Sequence, residues 1–400
     1  IGWQVAKLAG IVLSYADGTK INEGDVIPAD QINEVSAAAA DDGIALLAVN
    51  SNMTTAQLIA LTQDMTVVQR VGDAGTNGKW SILVQGGTVQ SDTAGTVRHA
   101  YGTIANALEA ISKDTSSNSF KITLLDDYTA DQTDRAALGT TSRTGGKLGG
   151  RTVNKPTIVF TGAVNYETDT SYQSRNTLTF ADSGFVYLSG FNPYFTHINI
   201  DGKIGIVGNQ NNTSFVDVKF PSGIGSIVGG NASANSQSID YSLTLDQIIT
   251  TENAPIKTIM GGSLKNAKGN VTLNISNSEI YGTVYGSGSY TADNSIKQTG
   301  NVTVTLDNVS LYPHTIVDSK DPQKNMLADT TLINNGGSFF AAGGVVTGAV
   351  TVTCKRDYYA QFGTWYGLNP SSIEGDCTLI FRDVNNVVQY VGTLANKAVK

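Results

Sequence analysis

Apolar and polar residues alternate in short segments that recur through most of the chain. Four segments align on one pattern, in which a glycine comes first and apolar residues follow at positions 3, 5 and 7: residues 269–275, 300–306, 348–354 and 375–381. A period of two is typical of a β-strand with one buried face. Looser versions precede them at residues 157–160, 178–180, 198–200, 216–220 and 243–245. The pattern predicts a repeat protein that is mainly β.

The spacing of the segments distinguishes between two kinds of repeat. Successive segments begin about 20 residues apart early in the series and about 30 residues apart later. A βαβ repeat needs a crossover helix between its parallel strands, and no interval holds an apolar run of 3.6-residue period long enough for one. Short strands that stack on the next coil fit this spacing. We therefore expect a parallel β-helix, or solenoid.

The register of the repeat places both cysteines in the core. Cys354 is at position 7 of its segment, and Cys377 is at position 3 of the next. Positions four residues apart along a strand are separated by about 13 Å, whereas the Cα atoms of a disulfide are at most about 7 Å apart. We expect two free, buried thiols. A disulfide is the alternative, and it would require a different register.

Position 4 of the repeat points outward and is threonine in all four segments, namely Thr272, Thr303, Thr351 and Thr378. Threonine is favoured on strands, where it interacts with its cross-strand neighbours. A threonine array that binds ice would need threonine at position 6 as well, where Asn274 and Ile380 interrupt it. We interpret the threonines as strand formers.

Residues 1–97 follow a different pattern. An alanine-rich stretch predicts a helix over residues 29–40 with Asp30 as its N-cap, and a second short helix is predicted to start at Thr54 or Thr55. Strand-like runs bounded by glycine-containing turns surround them at residues 11–15, 44–49, 66–68 and 81–84. We expect a small α+β domain over residues 1–97, followed by the β-helix over residues 98–400.

Charge and composition exclude several kinds of protein. The chain has 26 basic and 34 acidic residues, a net charge of −8, and no obvious basic stripe, which argues against nucleic-acid binding. No run approaches the roughly 18 apolar residues of a membrane span, so we expect no membrane insertion by this chain. The three histidines and two cysteines lack metal-ligand spacing, and no dinucleotide- or phosphate-binding motif is present. We predict no metal and no cofactor.

An enzyme of this architecture would need acidic residues that converge on one outward face. The outward candidates are Asp217 with Lys219 and the turn residues Asp182 and Asp201, and they do not recur at matching positions. The densest acidic run is Asp126, Asp127, Asp131 and Asp134, beside Arg135. It follows a strand directly, so we expect a solvated loop. These observations favour a non-catalytic protein and leave an enzyme open.

Aromatic residues are the best candidates for ligand binding. Those at strand ends and in loops of the repeat region are Tyr281, Tyr285, Tyr312, Tyr358, Trp365 and Tyr366. Such side chains stack on sugars or dock against proteins when they are exposed. Ordinary packing within loops is the alternative interpretation.

Two stretches of the sequence carry a resemblance to a known family. Residues 101–111 (YGTIANALEAI) place Ile104, Ala107, Leu108 and Ile111 on one face of a short helix, and a strand-like segment follows at 121–129 (KITLLDDYT). This combination resembles the entry to right-handed parallel β-helix domains of bacterial cell-surface proteins, in which a short helix caps the first coil. Residues 269–275 and 280–288 (IYGTVYGSG) look like the repeats of large exported proteins of gut bacteria.

The resemblance covers residues 98–394. It implies a right-handed parallel β-helix with a helical N-terminal cap, located outside the cell at a bacterial surface. It also implies an adhesin-like or structural role, with a glycan or a host or surface protein bound through exposed loops. Related helices include polysaccharide lyases and glycoside hydrolases, and also surface-layer and phage tailspike components. Both of these classes remain alternatives.

Overall fold

The computed structural model describes residues 2–22, 24–28, 31, 36–48, 67–68, 88–91, 98–100, 103–113, 115, 119–124, 127–151, 155–162, 175–288, 296–312, 339–360, 373–382 and 388–394. Within these residues the protein is mainly β, with 28 strands and two helices. The chain divides into two compact units. The first comprises Ile1–Ala137, Asn154–Thr179 and Thr196–Asn199, and the second comprises Leu138–Val153, Phe180–Phe195 and Ile200–Lys400. The predicted boundary at residue 97 remains a prediction.

The elements are as follows. Up to residue 201 they are β1 Gly2–Ser14, β2 Lys20–Ile21, β3 Val26–Pro28, β4 Ser36–Ala48, β5 Val67–Val68, β6 Thr88–Ser91, β7 Arg98–Ala100, α1 Ile104–Lys113, β8 Ser119–Thr123, β9 Tyr128–Ala130, α2 Gln132–Leu138, β10 Thr157–Thr161, β11 Thr177–Phe180, β12 Gly184–Tyr187 and β13 Asn192–Asp201. The remainder are β14 Ile204–Val207, β15 Thr213–Lys219, β16 Ile224–Val228, β17 Tyr241–Asp246, β18 Ile256–Met260, β19 Ala267–Lys268, β20 Val271–Tyr281, β21 Thr283–Tyr285, β22 Lys297–Thr299, β23 Val302–Tyr312, β24 Phe339–Phe340, β25 Val345–Val346, β26 Val350–Ala360, β27 Cys377–Arg382 and β28 Val388–Leu394.

The first unit begins with an antiparallel sheet in which β1 pairs with β2, β3 and β4. The helix predicted over residues 29–40 is wrong where the structure describes it, because residues 36–48 form β4, which pairs with β1 from Ser14↔Ser36 onward. Alanine favours a helix by only tenths of a kcal/mol per residue. Pairing with the long strand β1 satisfies the backbone hydrogen-bonding groups along β4, so the strand is formed instead of the helix. The helix predicted from Thr54 or Thr55 lies outside the described residues.

Helix α1 confirms the short helix predicted within residues 101–111. Its buried side chains are the predicted face of Ile104, Ala107, Leu108 and Ile111, together with Ala105. Thr103 is the N-cap, since its Oγ1 accepts a hydrogen bond from the Asn106 amide at 3.0 Å. The period of 3.6 in the sequence therefore identified both the element and its buried face.

The second unit consists of stacked parallel sheets. A long sheet runs through β15, β17, β20, β23, β26 and β27 in that order, a six-stranded sheet comprises β12, β14, β16, β18, β21 and β24, and a three-stranded sheet comprises β19, β22 and β25. From β18 to β26 the chain visits the six-stranded, three-stranded and long sheets in the same order three times. This is the arrangement of a β-solenoid. The last strand, β28, pairs antiparallel with β27.

The register predicted from the repeat is confirmed in the long sheet. Position 3 forms the column Val271↔Val302↔Val350↔Cys377, and position 7 forms Ile275↔Leu306↔Cys354↔Phe381. Both cysteines are buried and free, as predicted. The outward threonines Thr272, Thr303, Thr351 and Thr378 also lie side by side. The two-residue period and the repeat length determined which side chains stack.

The glycine at position 1 is required by close approach between coils. The backbone of Gly269 has φ +114°, and a Cβ there would lie 1.9 Å from the Ile239 carbonyl oxygen. Gly300 has φ +151°, and its Cβ would lie 2.1 Å from the Gly269 oxygen. Real Cβ atoms do not approach oxygen so closely, and a positive φ disfavours side chains in any case.

In three successive coils, a polar side chain at position 2 forms a hydrogen bond with the next coil. The Asp240 carboxylate accepts from the Asn270 amide at 2.8 Å, the Asn270 side-chain oxygen accepts from the Asn301 amide at 3.0 Å, and the Asn301 oxygen accepts from the Ala349 amide at 2.9 Å. These bonds satisfy backbone donors at the corner that precedes each strand. The Gly-Asn start of the repeat is therefore a structural feature of the corner.

Candidate functional site

The long strands of the second unit bend at one residue in each coil. That residue has a left-handed backbone in successive coils: Asp217 with φ 52°, Gln247 with 56°, Asn277 with 48°, Asn308 with 56° and Arg356 with 54°. Asparagine and aspartate tolerate this conformation better than other side chains. Each bend divides the outward residues of its strand into a group before it and a group after it.

Before the bend, outward side chains form a polar column that consists of Asp246, Ser276, Asp307, Lys355 and Arg382, which we call the bend column. Asp246 Oδ1 accepts hydrogen bonds from Ser276 Oγ at 2.8 Å and from Asn277 Nδ2 at 2.9 Å. Asp307 Oδ1 accepts from Arg356 Nε at 2.5 Å. Asn308 Nδ2 donates to Asn277 Oδ1 at 3.0 Å, which links the bends themselves.

The acids of the bend column influence neighbouring titratable groups. The hydrogen bond to Asp307, with the charges of Asp307 and Asp246, raises the pKa of the Arg356 guanidinium. Burial, followed by the charge of Asp246, raises the pKa of Tyr194. Both shifts favour the cationic form of Arg356 and the neutral form of Tyr194, the forms that these groups already adopt at physiological pH. The column therefore presents carboxylates, an arginine and neutral hydrogen-bonding groups along one outward surface.

After the bend, two tyrosines stack on neighbouring strands. Tyr281 in β20 and Tyr312 in β23 are partners in register, with ring centroids 4.7 Å apart and planes inclined at 24°. Ile249, which is 57% exposed, lies beside the exposed Glu279 in the same sheet. We call these four residues the aromatic face. Both tyrosines are half-buried, and a tyrosine ring combines an apolar face with a polar hydroxyl.

The structure separates the predicted aromatic residues. Tyr281 and Tyr312 come together, but Tyr285 is only 1% exposed and is excluded from any surface site. It packs in a core cluster with Met260 and Phe340, and its ring stacks on Phe340 at 5.2 Å. Every residue of β21 is buried, so no alternation distinguishes an inward from an outward residue there. For Tyr358 only the backbone is described, paired with Val309; Trp365 and Tyr366 lie outside the described residues.

Two acidic residues of the bend column were missed by the sequence reasoning. Asp307 is at position 8 of its repeat, and Asp246 occupies the same position in a looser copy. Extending the alignment by one residue beyond position 7 would have found both. Of the predicted acids, Asp217 lies at a bend and Asp182 is exposed, while Asp201 accepts a hydrogen bond from the Gly202 amide at 2.9 Å.

The solvated loop predicted for the run from Asp126 to Asp134 is wrong at its end. Asp134 is 1% exposed and accepts hydrogen bonds from Tyr128 Oη at 2.5 Å and from the Ala105 amide at 2.8 Å. Burial raises the pKa of the Asp134 carboxyl. Asp131 is exposed and accepts from the Asp134 amide at 2.9 Å, as an N-cap of α2. Asp131 and Asp134 therefore anchor helices, whereas Asp127 accepts a hydrogen bond from the Thr177 amide of β11 at 2.8 Å. Asp126 lies outside the described residues.

Within the described part of the chain, no three His, Cys, Asp or Glu side chains form a group that could hold a metal ion. None of the described helices has the length and apolar character needed to cross a membrane. Comparison with protein-family models, curated proteins and solved structures finds no match to this chain.

Proposed function

We propose that the chain is a non-catalytic extracellular module, adhesin-like or structural, which binds a glycan through the aromatic face and the bend column. The single observation that carries this proposal is the stacked pair Tyr281 and Tyr312 in the same sheet as outward carboxylates, amides and an arginine. Apolar faces of sugar rings stack on aromatic rings, and sugar hydroxyls pair with carboxylates and amides. The surface supplies both kinds of contact.

A glycan fits this surface better than a protein partner. A stable protein interface buries about 800 Å² on each side around an apolar centre. Ile249 is the one large hydrophobic side chain in the described residues of the second unit that is prominently exposed. An extended sugar chain needs much less apolar area, since most of its contacts are hydrogen bonds.

The proposal also includes the handedness of the solenoid, its cap, the N-terminal domain and the location of the protein. We assign a right-handed twist to the solenoid, a capping role to α1 at its first coil, a separate N-terminal domain to residues 1–97, and a location at a bacterial surface. The resemblance of residues 98–394 to β-helix domains of bacterial surface proteins supports these assignments. The surface of threonine, serine and asparagine side chains is in keeping with them.

The test is a glycan array probed with the purified chain, followed by affinity measurements on the best glycan. Tyr281→Ala and Tyr312→Ala should each weaken binding by several-fold to about tenfold, because each removes a stacking ring. Tyr281→Phe should bind more tightly than Tyr281→Ala, since it keeps the ring. Thr303→Ala, an outward change on β23 before the bend, is the control. No glycan binding, or equal binding by all variants, would refute the proposal.

A polysaccharide-degrading enzyme is the second candidate, favoured by one observation. Asp246 and Asp307 occupy the same outward column with Ser276 between them, so their backbones are about 9.5 Å apart, close to the carboxylate spacing of inverting glycosidases. Assays for new reducing ends and for unsaturated products, run on the array hits, decide between the candidates. Turnover that is lost in Asp246→Asn and Asp307→Asn would establish the enzyme.

A further inference from the structure

A basic segment without acids lies outside the proposed glycan surface. Residues 136–166 contain Arg143, Lys147, Arg151 and Lys155 and no Asp or Glu, in a chain of net charge −8. The four cations are spaced four residues apart, so no run of adjacent basic residues marks them. The first three lie in residues 139–151 of the second unit, which we call the basic loop.

The basic loop is held firmly by the coils of its own unit. Three consecutive carbonyl oxygens accept hydrogen bonds from side chains: Thr140 from Asn209 Nδ2 at 3.1 Å, Thr141 from Ser233 Oγ at 2.8 Å and Ser142 from Ser189 Oγ at 3.2 Å. The loop also packs tightly on itself, since a Cβ on Gly149 would lie 1.8 Å from the Gly145 oxygen. The backbone of the loop is therefore positioned in advance by the fold.

Arg143 is half-buried in this loop, and its hydrogen bonds to the described part of the chain all go to neutral oxygens. Its Nε donates to the Asn209 carbonyl at 3.4 Å, and its Nη1 donates to Gln237 Oε1 at 3.3 Å. No described carboxylate forms an ion pair with it. A guanidinium has five N–H donors, so most remain for another partner. Burial lowers the pKa of Arg143, in keeping with a cation that has no carboxylate beside it among the described residues.

Exposed hydroxyl groups lie in the same turn. Ser142 Oγ and Thr144 Oγ1 are 2.9 Å apart, and both residues are exposed, as is Gln237 on the neighbouring coil. Asp240 is the acidic residue closest in sequence to Gln237, and its carboxylate accepts a hydrogen bond from the Asn270 amide. Hydroxyls that precede and follow an arginine in one turn can join its guanidinium in donating to an anion, whose oxygens accept several hydrogen bonds at once.

We propose that Arg143, with the hydroxyls of Ser142 and Thr144, forms a binding site for a single oxyanion group. The group is a carboxylate or sulfate, such as an acidic glycan carries, or a phosphate. The site uses none of the residues of the aromatic face or the bend column and does not rest on the proposed function. It would give the protein a preference for anionic ligands despite its net negative charge.

The experiment is calorimetric titration with sodium glucuronate, sodium sulfate and sodium phosphate, each at the ionic strength of a sodium chloride reference. We expect saturable binding of at least one probe, and the probe that binds identifies the source of the anion. Arg143→Gln should weaken binding at least about tenfold, because it removes charge-assisted hydrogen bonds. Lys147→Gln makes the same charge change on an exposed side chain of the loop and should leave affinity within about twofold.

Three outcomes would overturn the proposal: no saturable response to any probe, equal affinity in the wild type and Arg143→Gln, or equal losses in Arg143→Gln and Lys147→Gln. If Arg143→Gln does not fold, Arg143→Lys replaces it. That variant keeps the charge but loses the planar fork, so it should bind more weakly than the wild type, and unchanged affinity refutes the site. Tyr281→Ala should keep anion binding, and Arg143→Gln should keep neutral-glycan binding, so the two proposals fail independently.

Discussion

Replacing Asp134 with alanine tests whether a buried carboxylate holds the start of α1. The carboxylate accepts hydrogen bonds from Tyr128 Oη at 2.5 Å, from the Ala105 amide at 2.8 Å and from the Asp131 amide at 3.2 Å. The Ala105 amide lies in the first turn of α1, where no intrahelical partner exists. Asp134 therefore links this helix to Tyr128 and to the beginning of α2.

The loss in stability follows from the donors that Asp134→Ala leaves without a partner. Each buried donor without an acceptor costs about 1–3 kcal/mol. Ala105 is buried and Tyr128 is half-buried, whereas water reaches the exposed Asp131. We therefore expect a loss of about 2–4 kcal/mol in the local stability of α1. Hydrogen exchange of the α1 amides measures it, with the amides of β20 in the second unit as an internal reference.

The pH dependence provides a second test. Burial raises the pKa of Asp134 above its value in the unfolded chain, although its hydrogen bonds from Tyr128 and Ala105 oppose the shift. Between the two pKa values the folded state binds the extra proton, so stability falls as the pH rises from about 4 through the folded pKa. Asp134→Asn cannot ionise, so the stability of the wild type relative to this variant should fall over the same range.

Asp131→Asn is the matched control, because it makes the same charge change at an exposed position and asparagine also serves as an N-cap. The reasoning is refuted if α1 exchanges equally fast in Asp134→Ala and the wild type. It is also refuted if the wild type gains stability over Asp134→Asn as the pH rises.

Two further predictions concern the second unit. Gly300→Ala should destabilise this unit by at least about 2 kcal/mol, because Gly300 has a positive φ and contacts the previous coil. Gly150→Ala is the control and should have little effect, since no atom lies within 4 Å of a Cβ at Gly150. Thermal unfolding compares the two variants, and equal changes in their Tm would contradict the role of the corner. Burial raises the pKa of the Cys354 thiol to about 12 and that of Cys377 to about 11, so neither should react with a thiol reagent at pH 8 until denaturant is added. Rapid labelling of the native protein would contradict their burial.

The repeat register was predictable because several constraints act together. A strand has a period of two, and a slip of one residue would turn every apolar side chain of β20 or β23 outward. The stacked columns through Val271, Ile275 and Thr272 therefore had one consistent alignment, and the free cysteines followed from it. The face of α1 was predictable for the same reason, with a period of 3.6.

The candidate site was only partly predictable. Tyr281 and Tyr312 are 31 residues apart in sequence and meet because β20 and β23 are in register. Their stacking therefore follows from the repeat together with the outward direction of both side chains. Tyr285 was misplaced because its strand is buried throughout. The sequence marks residues 136–166 as basic and free of acids, but it does not single out Arg143, since the environment of that side chain is made by residues from coils more than 60 positions away.

The sequence by itself determined the repeating part of this protein: the strands, their inward and outward residues, the stacking partners and the state of the cysteines. Local periodicity encodes these properties, and each coil repeats the same constraint on its neighbours. Only the tertiary structure decided that an alanine-rich segment forms a strand against β1, that Asp134 is buried at the start of α1, and that Arg143 pairs with neutral oxygens and with no described carboxylate. Those properties depend on which distant groups supply hydrogen bonds and charge, and no local pattern records that information.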